Sequence, residues 1–526
     1  MELIIKNATI VDGTGSQAYK ADVGVAGDRV VRIENNITEE AELVIDGEGM
    51  CLSPGFIDPH THSDMALIIN PLAESKIYQG VTTEVVGNCG SSPVPLLGAS
   101  LEETQAEAKV YGLEIDWTDM AGYLTRIRRQ GIALNLVPLV GHNTVRGAVM
   151  GYGDVQPDKH QQAAMEKLVQ EAMEQGGHGL STGLYYPPGF YAKTEEVIGL
   201  ARAAGKMGGV YASHIRSESD TLFEAVDEAI EIGKKAEIPV QISHLKLEGE
   251  HNFSGADRLL EKIDQANDAS QVVNCDQYPY AASSTWLGAC LPNWAQAGGG
   301  KTIADRLKDP DIRKVLKEDY QHNRLDWDNR SGITRWDQVL LTEVEGRHEI
   351  EGKTVEEVAE IDKTDPLDTL FNLIILTNAG ASAVYFDQLE KNVQRLMQHE
   401  RVMISSDGSS LSPEGVLGRG NPHPRNYGTF PRVLGCYVRE LGALTLEQAV
   451  HKMTGQTAQA FKLANRGEIK IGAFADLVLF DANKVIDKAT FNQPKQFPAG
   501  IPWVIVNGRV VVANGKHTGA LPGKAL

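Results

Sequence analysis

Residues 55–64, GFIDPHTHSD, close an apolar run that begins at Leu52 with a His-x-His pair, His60 and His62. In a strand, residues i and i+2 point to the same face, so both imidazoles converge on one point. Alone, the pair is a weak signal. The pattern recurs, however. Cys89 in VVGNCG (85–90), His214 in YASHIRSE (211–218), His244 in QISHLK (241–246) and Asp407 in ISSDG (404–408) each end an apolar, β-branched run. Metal-binding or proton-handling side chains thus stand at the carboxyl ends of five separate strand-like runs.

Working outward, eight such runs are legible at 55–60, 82–88, 133–139, 179–184, 209–214, 240–244, 272–276 and 402–406. Amphipathic stretches such as 161–175 and 221–236 separate them. Alternating strands and helices imply right-handed βαβ units, and eight of them predict an α/β fold with a (β/α)8 barrel. An open doubly wound sheet is the structural alternative. The barrel is preferred because its chemistry gathers at the carboxyl ends of several strands.

The two ends of the chain have a different texture. Short strands at 3–5, 8–11, 22–25, 30–33 and 43–46 are separated by turn signals such as Asp12-Gly13 and Gly27-Asp28. The texture returns at 475–480, 503–506 and 509–512, with Asn507-Gly508 as a two-residue hairpin signal. Residues 1–54 and 463–526 are therefore expected to build one small β-sandwich beside a catalytic barrel spanning 55–462. The rhythm breaks at 287–352, a stretch rich in Gly, Trp and charge that is expected to form a lid-like insertion with its own short helices.

Composition excludes several classes of function. The 526 residues are 42% hydrophobic and 23% charged, as in ordinary globular enzymes. A net charge of -20 argues against nucleic acid or an anionic membrane surface as partner. Five cysteines without a CxxC argue against a disulfide framework. The start, MELIIKNATIVDG, lacks the pattern of a signal peptide. No apolar stretch reaches the ~20 residues that a membrane helix needs. A cytoplasmic location is expected. Oligomeric state stays open.

As bare chemistry, thiolate and imidazole suit Zn2+, and a catalytic zinc keeps three protein ligands and an open position. Cys89, His214 and His244 would make such a set. His60, His62 and Asp407 would make a second neighbouring site or a proton-handling group. Each residue also has a bland account: a small buried cysteine, satisfied strand-end histidines, a turn aspartate. Chance rarely sets all of them at strand ends, and jointly they favour a metal site.

GFIDPHTHSD, GVTTEVVGNCG, GLSTGLYYPPG, SHIRSE, SHLK, DQYPY, SSDG and HPRNYGTFPRVLGCYVRE stand here in the order seen in D-aminoacylases. The chain thus resembles the N-acyl-D-amino-acid deacylases of the amidohydrolase superfamily over nearly its whole length. The resemblance implies a barrel, a terminal β-sandwich and zinc-dependent hydrolysis of an acyl amide in a small-molecule N-acyl-D-amino acid. It implies Cys89, His214 and His244 as ligands of one tight zinc, His60 and His62 at a second, weaker position, and Asp407 as general acid/base. Lys246, Tyr278 and Arg419 would hold the substrate carboxylate, with Arg425 competing for the role of Arg419. Tyr186 would polarise the scissile carbonyl.

Side-chain preference is expected to be neutral or hydrophobic. No Lys or Arg occurs from Gln271 to Gly300, where Trp286, Leu287, Leu291, Pro292 and Trp294 cluster as a candidate pocket wall. The rival activity is hydrolysis of a cyclic amide, as in hydantoinases, which would call for a carboxylated lysine between two metals. Cys89 argues against it.

Overall fold

The computed structural model describes residues 1–322 and 335–526. Its centre is a ring of short parallel strands: β1 (Phe56–Asp58), β2 (Val81–Val86), β3 (Asn135–Pro138, continued by Val140–Gly141), β4 (Gly179–Gly183), β5 (Val210–His214), β6 (Val240–Ile242), β7 (Val273–Gln277) and β8 (Val402–Ile404). One parallel ladder joins β1, β2 and β3. A second runs from Val140–Gly141 through β4, β5, β6 and β7 to β8. Leu139 N donates to Val86 O at 2.9 Å and carries β3 from one ladder to the next. The seam between β1 and β8 is closed by a single bridge, Thr61 to Gly408. Every residue of β2 is buried, as expected of a strand covered on both faces.

The helices wrap this ring with their apolar stripes inward. Leu222–Ala236 buries Leu222, Ala225, Val226, Ala229, Ile232, Gly233 and Ala236, a spacing of three and four that marks one helical face. The helix expected at 161–175 spans Lys159–Glu174. It starts earlier because Asp158 caps it, accepting from His160 N and Gln161 N, while Gln161 completes a capping box.

Strands from both ends of the chain form one nine-stranded sheet, with Leu477–Phe480 pairing antiparallel with Cys51–Pro54. Its inner faces share an apolar core that includes Ile5, Val23, Leu52, Leu477 and Ile505. The strands expected at 3–5 and 8–11 are one strand, Leu3–Ile10, with a bulge between Ile5 and Ala8. Asn7 sits there at φ 61° and donates its N–H to Asp22 Oδ1 at 2.9 Å. Asn507 and Gly508, at φ 46° and 76°, make the hairpin turn that their sequence announced. The last residues leave this sheet and return to the barrel, where Leu136 N donates to Lys524 O and Leu526 N to Leu136 O.

Between β7 and β8 lies the insertion. It is an antiparallel three-stranded sheet of Ser283–Trp286, Ser382–Tyr385 and Val339–Glu343, flanked by short helices. It has its own core, in which Leu287, Leu291, Phe371, Ile374 and Tyr385 meet. Residues 323–334, inside the stretch expected to be lid-like, lie outside the described residues. No helix among the described residues is long and apolar enough to cross a membrane. No disulfide joins any of the five cysteines among the described residues.

Candidate active site

The carboxyl ends of the strands bring the expected side chains together. Cys89 Sγ lies 3.2 Å from His60 Nε2 and 3.4 Å from His244 Nε2. Asp407 Oδ1 lies 3.0 Å from His62 Nε2 and 3.4 Å from His60 Nε2. Donor atoms of His60, Cys89, His244 and Asp407 all fall within 4.8 Å of one another. His214 stands beside them, its ring centroid 4.4 Å from that of His244. Both of its ring nitrogens are buried without a hydrogen-bond partner among the described residues, and Nε2 is 3.5 Å from Glu218 Oε2.

Three residues of this cluster hold the left-handed backbone that side chains other than Gly and Asn seldom adopt: Cys89 at φ 52°, His244 at 35° and Asp407 at 49°. Each turns sharply off its strand end and aims its side chain across the barrel mouth. Gly90 follows Cys89 because the loop packs against β4. A Cβ there would meet Gly183 N at 2.6 Å.

Electrostatics match the geometry. Burial alone would raise the Cys89 thiol, but His60 and His244 beside it hold it well below the usual range. Burial would likewise raise Asp407. Arg425 above all, then His244 and His60, keeps it well below the ordinary carboxylate range. The donor set of thiolate, imidazoles and carboxylate is the chemistry that zinc prefers, and the orphaned nitrogens of His214 want a partner.

Three acidic residues that no sequence pattern had singled out orient the cluster. Asp276 accepts from His244 N at 2.9 Å and Ser405 Oγ at 2.7 Å, and its Oδ1 is 3.5 Å from His60 Nδ1. Glu218 Oε1 is 2.9 Å from His244 Nδ1 and pairs with Lys246. Such carboxylate–histidine contacts fix ring orientation around metals. Asp58 forms part of a buried ion cluster with Lys76 and Glu84. Asp276 and Glu218 lay in the quoted motifs DQYPY and SHIRSE, and only the distances separate them from their neighbours.

A cavity of about 260 Å³ is lined among others by His62, Asp407, Ser284, Glu343, Arg419 and Arg425, while Lys246, Tyr278 and Tyr186 are not part of its lining. Lys246 is buried, with its Nζ 2.8 Å from His244 Nδ1 and 5.8 Å from the Tyr278 ring. Tyr278 accepts from Gln388 Nε2 at 2.9 Å, and the Arg425 guanidinium lies 5.0 Å from its ring. Arg425 also reaches Asp407 Oδ2 at 2.8 Å. Arg419 is exposed and lines the cavity with Glu343, without a contact to Tyr278 or Lys246 among the described residues. Tyr186 packs its ring 4.8 Å from His214, and its hydroxyl is 2.9 Å from Thr285 Oγ1 of the insertion.

One expectation needs correcting. Trp286, Leu287, Leu291, Pro292 and Trp294 do not line this cavity; of residues 271–300, Ser284 alone does among those described. Leu287 and Leu291 are fully buried in the core of the insertion, packed with its other apolar side chains. Their clustering in sequence reflected that core and not a pocket.

A profile described as "Amidohydrolase family" matches residues 43–266 and 326–512. A D-aminoacylase of Alcaligenes xylosoxydans xylosoxydans is 36% identical over 525 residues, covering 100% of this chain and 97% of that protein. The chain belongs to the D-aminoacylase family of amidohydrolases. A solved N-acyl-D-glutamate deacylase from Bordetella bronchiseptica, in complex with zinc and a phosphonate mimic of the tetrahedral intermediate, matches at TM-score 0.83 and 33% identity. It covers 100% of this chain and 99% of that one. A structure addressing the binuclear metal centre of D-aminoacylase, with one-metal activation and second-metal attenuation, matches at 0.82 and 35%, again covering 100% and 99%. Both structural matches extend over the full length of this chain.

Proposed function

We propose that the protein hydrolyses N-acyl-D-amino acids to a D-amino acid and a carboxylate, using zinc. The observation that carries this reading is the convergence of His60, Cys89, His244 and Asp407 donor atoms within 4.8 Å at the mouth of the barrel. The relatives supply the chirality, which no spacing in the chain reveals.

Cys89, His214 and His244 would hold the tight zinc, and His60 and His62, beside Asp407, a weaker second ion. When bound, zinc supplies Lewis acidity toward the acyl carbonyl and a water acidified to near neutral pH. The rest falls to the residues of the chain. Asp407 takes the proton of the attacking water and returns it to the leaving amine nitrogen. Tyr186, beside His214, offers its hydroxyl to the carbonyl oxygen as charge develops. Lys246, Tyr278 and Arg425 surround the place for the substrate α-carboxylate, and charge-assisted bonds from lysine and arginine suit that group. Arg425 takes this role in preference to Arg419 because it already touches both Asp407 and Tyr278.

The side chain favoured is neutral. Arg419 and Glu343 line the cavity together, and their opposite charges offset one another and leave no unpaired cation for an acidic side chain. Cyclic-amide hydrolysis has less support, because Lys246 is already bound to Glu218 and Lys76 to Asp58, so neither is free to bridge two ions.

The test is hydrolysis of N-acetyl-D-methionine, its L-enantiomer and N-acetyl-D-glutamate by zinc-replete and chelator-stripped protein. Zinc-dependent turnover of D-methionine derivatives alone is expected. Equal turnover of both enantiomers, or none from zinc-loaded protein, ends the proposal. A preference for the glutamate derivative ends the side-chain part of it.

A further inference from the structure

The seam between β1 and β8 is the weakest backbone junction of the barrel, with one bridge where β4 and β5 share five register pairs. It is also where the His-x-His turn faces Asp407. Beneath that junction lies a cluster of three fully buried charges. Lys76 Nζ is 2.8 Å from Asp58 Oδ2 and 3.3 Å from Glu84 Oε1, and all three side chains are 0% exposed.

Every arm of the cluster reaches a segment that carries a site residue. Lys76 donates to Ser406 Oγ, which in turn accepts from Gly408 N at 3.0 Å. Asp58 Oδ1 accepts from Ser406 N at 2.9 Å and from His60 N at 3.4 Å. Glu84 accepts from Ser63 Oγ at 3.0 Å and Ser410 Oγ at 2.9 Å, and Ser63 Oγ accepts from Ser410 N at 2.8 Å. The peptides on both sides of Asp407 are thereby pinned to the segment holding His60 and His62. Asp407 itself sits at φ 49°, a conformation that persists only when its surroundings impose it.

Stability alone does not call for such a device. Apolar replacements of a buried ion cluster are commonly neutral or stabilising, since desolvation offsets the Coulombic gain. What apolar side chains cannot supply is directed hydrogen bonds to Ser406, Ser410 and the His60 amide. We propose that Lys76, with Asp58 and Glu84, is the positioning element that sets Asp407 against the His60–His62 pair. The proposal rests on the reading of Asp407 as the proton carrier.

Two variants avoid the unpaired carboxylates that Lys76→Met alone would leave. One is the neutral triple K76M/D58N/E84Q. The other is Ser406→Ala, which removes the hydroxyl joining Lys76 to the Gly408 amide, keeps the links through Ser406 N and Ser410, and leaves the ion cluster whole. For both, kcat on N-acetyl-D-methionine is expected to fall about 100-fold, the scale of a misplacement near 1 Å. KM should stay within about two-fold, since Lys246, Tyr278 and Arg425 do not touch the cluster. Loaded with cobalt, both variants should keep the thiolate-to-metal absorption of Cys89, because that ligand lies outside the network. An unchanged kcat in either folded variant overturns the proposal. So does loss of the thiolate band in step with activity, which would make the cluster a device for metal retention. Asp407→Asn distinguishes the two levels. Full activity there sinks the proton-carrier reading, whereas an inactive Asp407→Asn beside an active triple variant sinks only the positioning role.

Discussion

Two buried lysines hold the two ends of β8, and they do so by different means. At the carboxyl end, Lys76 is paired with Asp58 and Glu84 and reaches Ser406. At the amino end, Lys452 donates to neutral acceptors, the carbonyl of His399 and, at 2.9 Å, that of Val402. Carbonyls suffice to anchor a strand. The carboxylates paired with Lys76 accept further hydrogen bonds from Ser406 N, Ser63 and Ser410, and these appear where the direction of Asp407 matters. The site end of the barrel therefore concentrates charge and left-handed backbone, and the opposite end does without either carboxylate.

The largest effect that sharpens this contrast is on stability. Lys76→Met alone leaves two buried carboxylates without their cation and should cost about 3–5 kcal/mol. Lys452→Met loses hydrogen bonds to carbonyls and should cost about 1–3 kcal/mol. Urea unfolding midpoints of the two variants at neutral pH would measure both. Equal losses would remove the distinction between the two ends.

Much of this organisation was legible in sequence, because strand-end His, Cys and Asp obey a simple periodicity. The ring of strands and the strand-end positions of these side chains followed from it, but not their grouping: His60, Cys89, His244 and Asp407 share one cluster, and His214 stands with Glu218 and His244. Asn507-Gly508 announced its hairpin for an equally local reason. What stayed hidden depends on contacts between distant segments. Lys76 and Ser406 are 330 positions apart, and nothing in the short helix Glu74–Ile77 distinguishes Lys76 from a surface lysine in sequence. Arg419 and Arg425 are close in sequence, the second opening the helix Arg425–Arg432, and only the contacts of Arg425 to Asp407 and Tyr278 tell them apart. Leu287 and Leu291 misled because an apolar cluster reads alike whether it lines a pocket or fills a core.

The second prediction uses those two arginines, since Arg425 is the cation on the open side of Asp407, opposite the buried network. Arg425→Ala removes a guanidinium 2.8 Å from Asp407 and should lower kcat/KM at least about 100-fold. Arg425→Lys should recover only a part, because a point charge does not reproduce the planar fork. Arg419→Ala should stay within about three-fold. Steady-state kinetics with N-acetyl-D-methionine separates the cases. A larger loss at Arg419 would return the carboxylate role to that residue.

The smallest effect is a pH dependence confined to the amino end of β8. Burial lowers Lys452 from its ordinary 10.5 to about 8, with Glu400 only partly opposing the shift. Below about pH 8 the side chain is charged in the folded and the unfolded chain alike, and the desolvation penalty is fully present. Between about 8 and 10.5 the unfolded chain holds its proton while the folded chain releases it. The unfolded state then binds more protons, so stability against unfolding rises with pH through that window. Lys452→Met should abolish a rise on the order of 2 kcal/mol, read as the difference between wild-type and variant urea midpoints across the window. If the two curves run parallel, the Lys452 proton is not lost on the alkaline side, and two neutral carbonyls suffice to hold a buried ammonium.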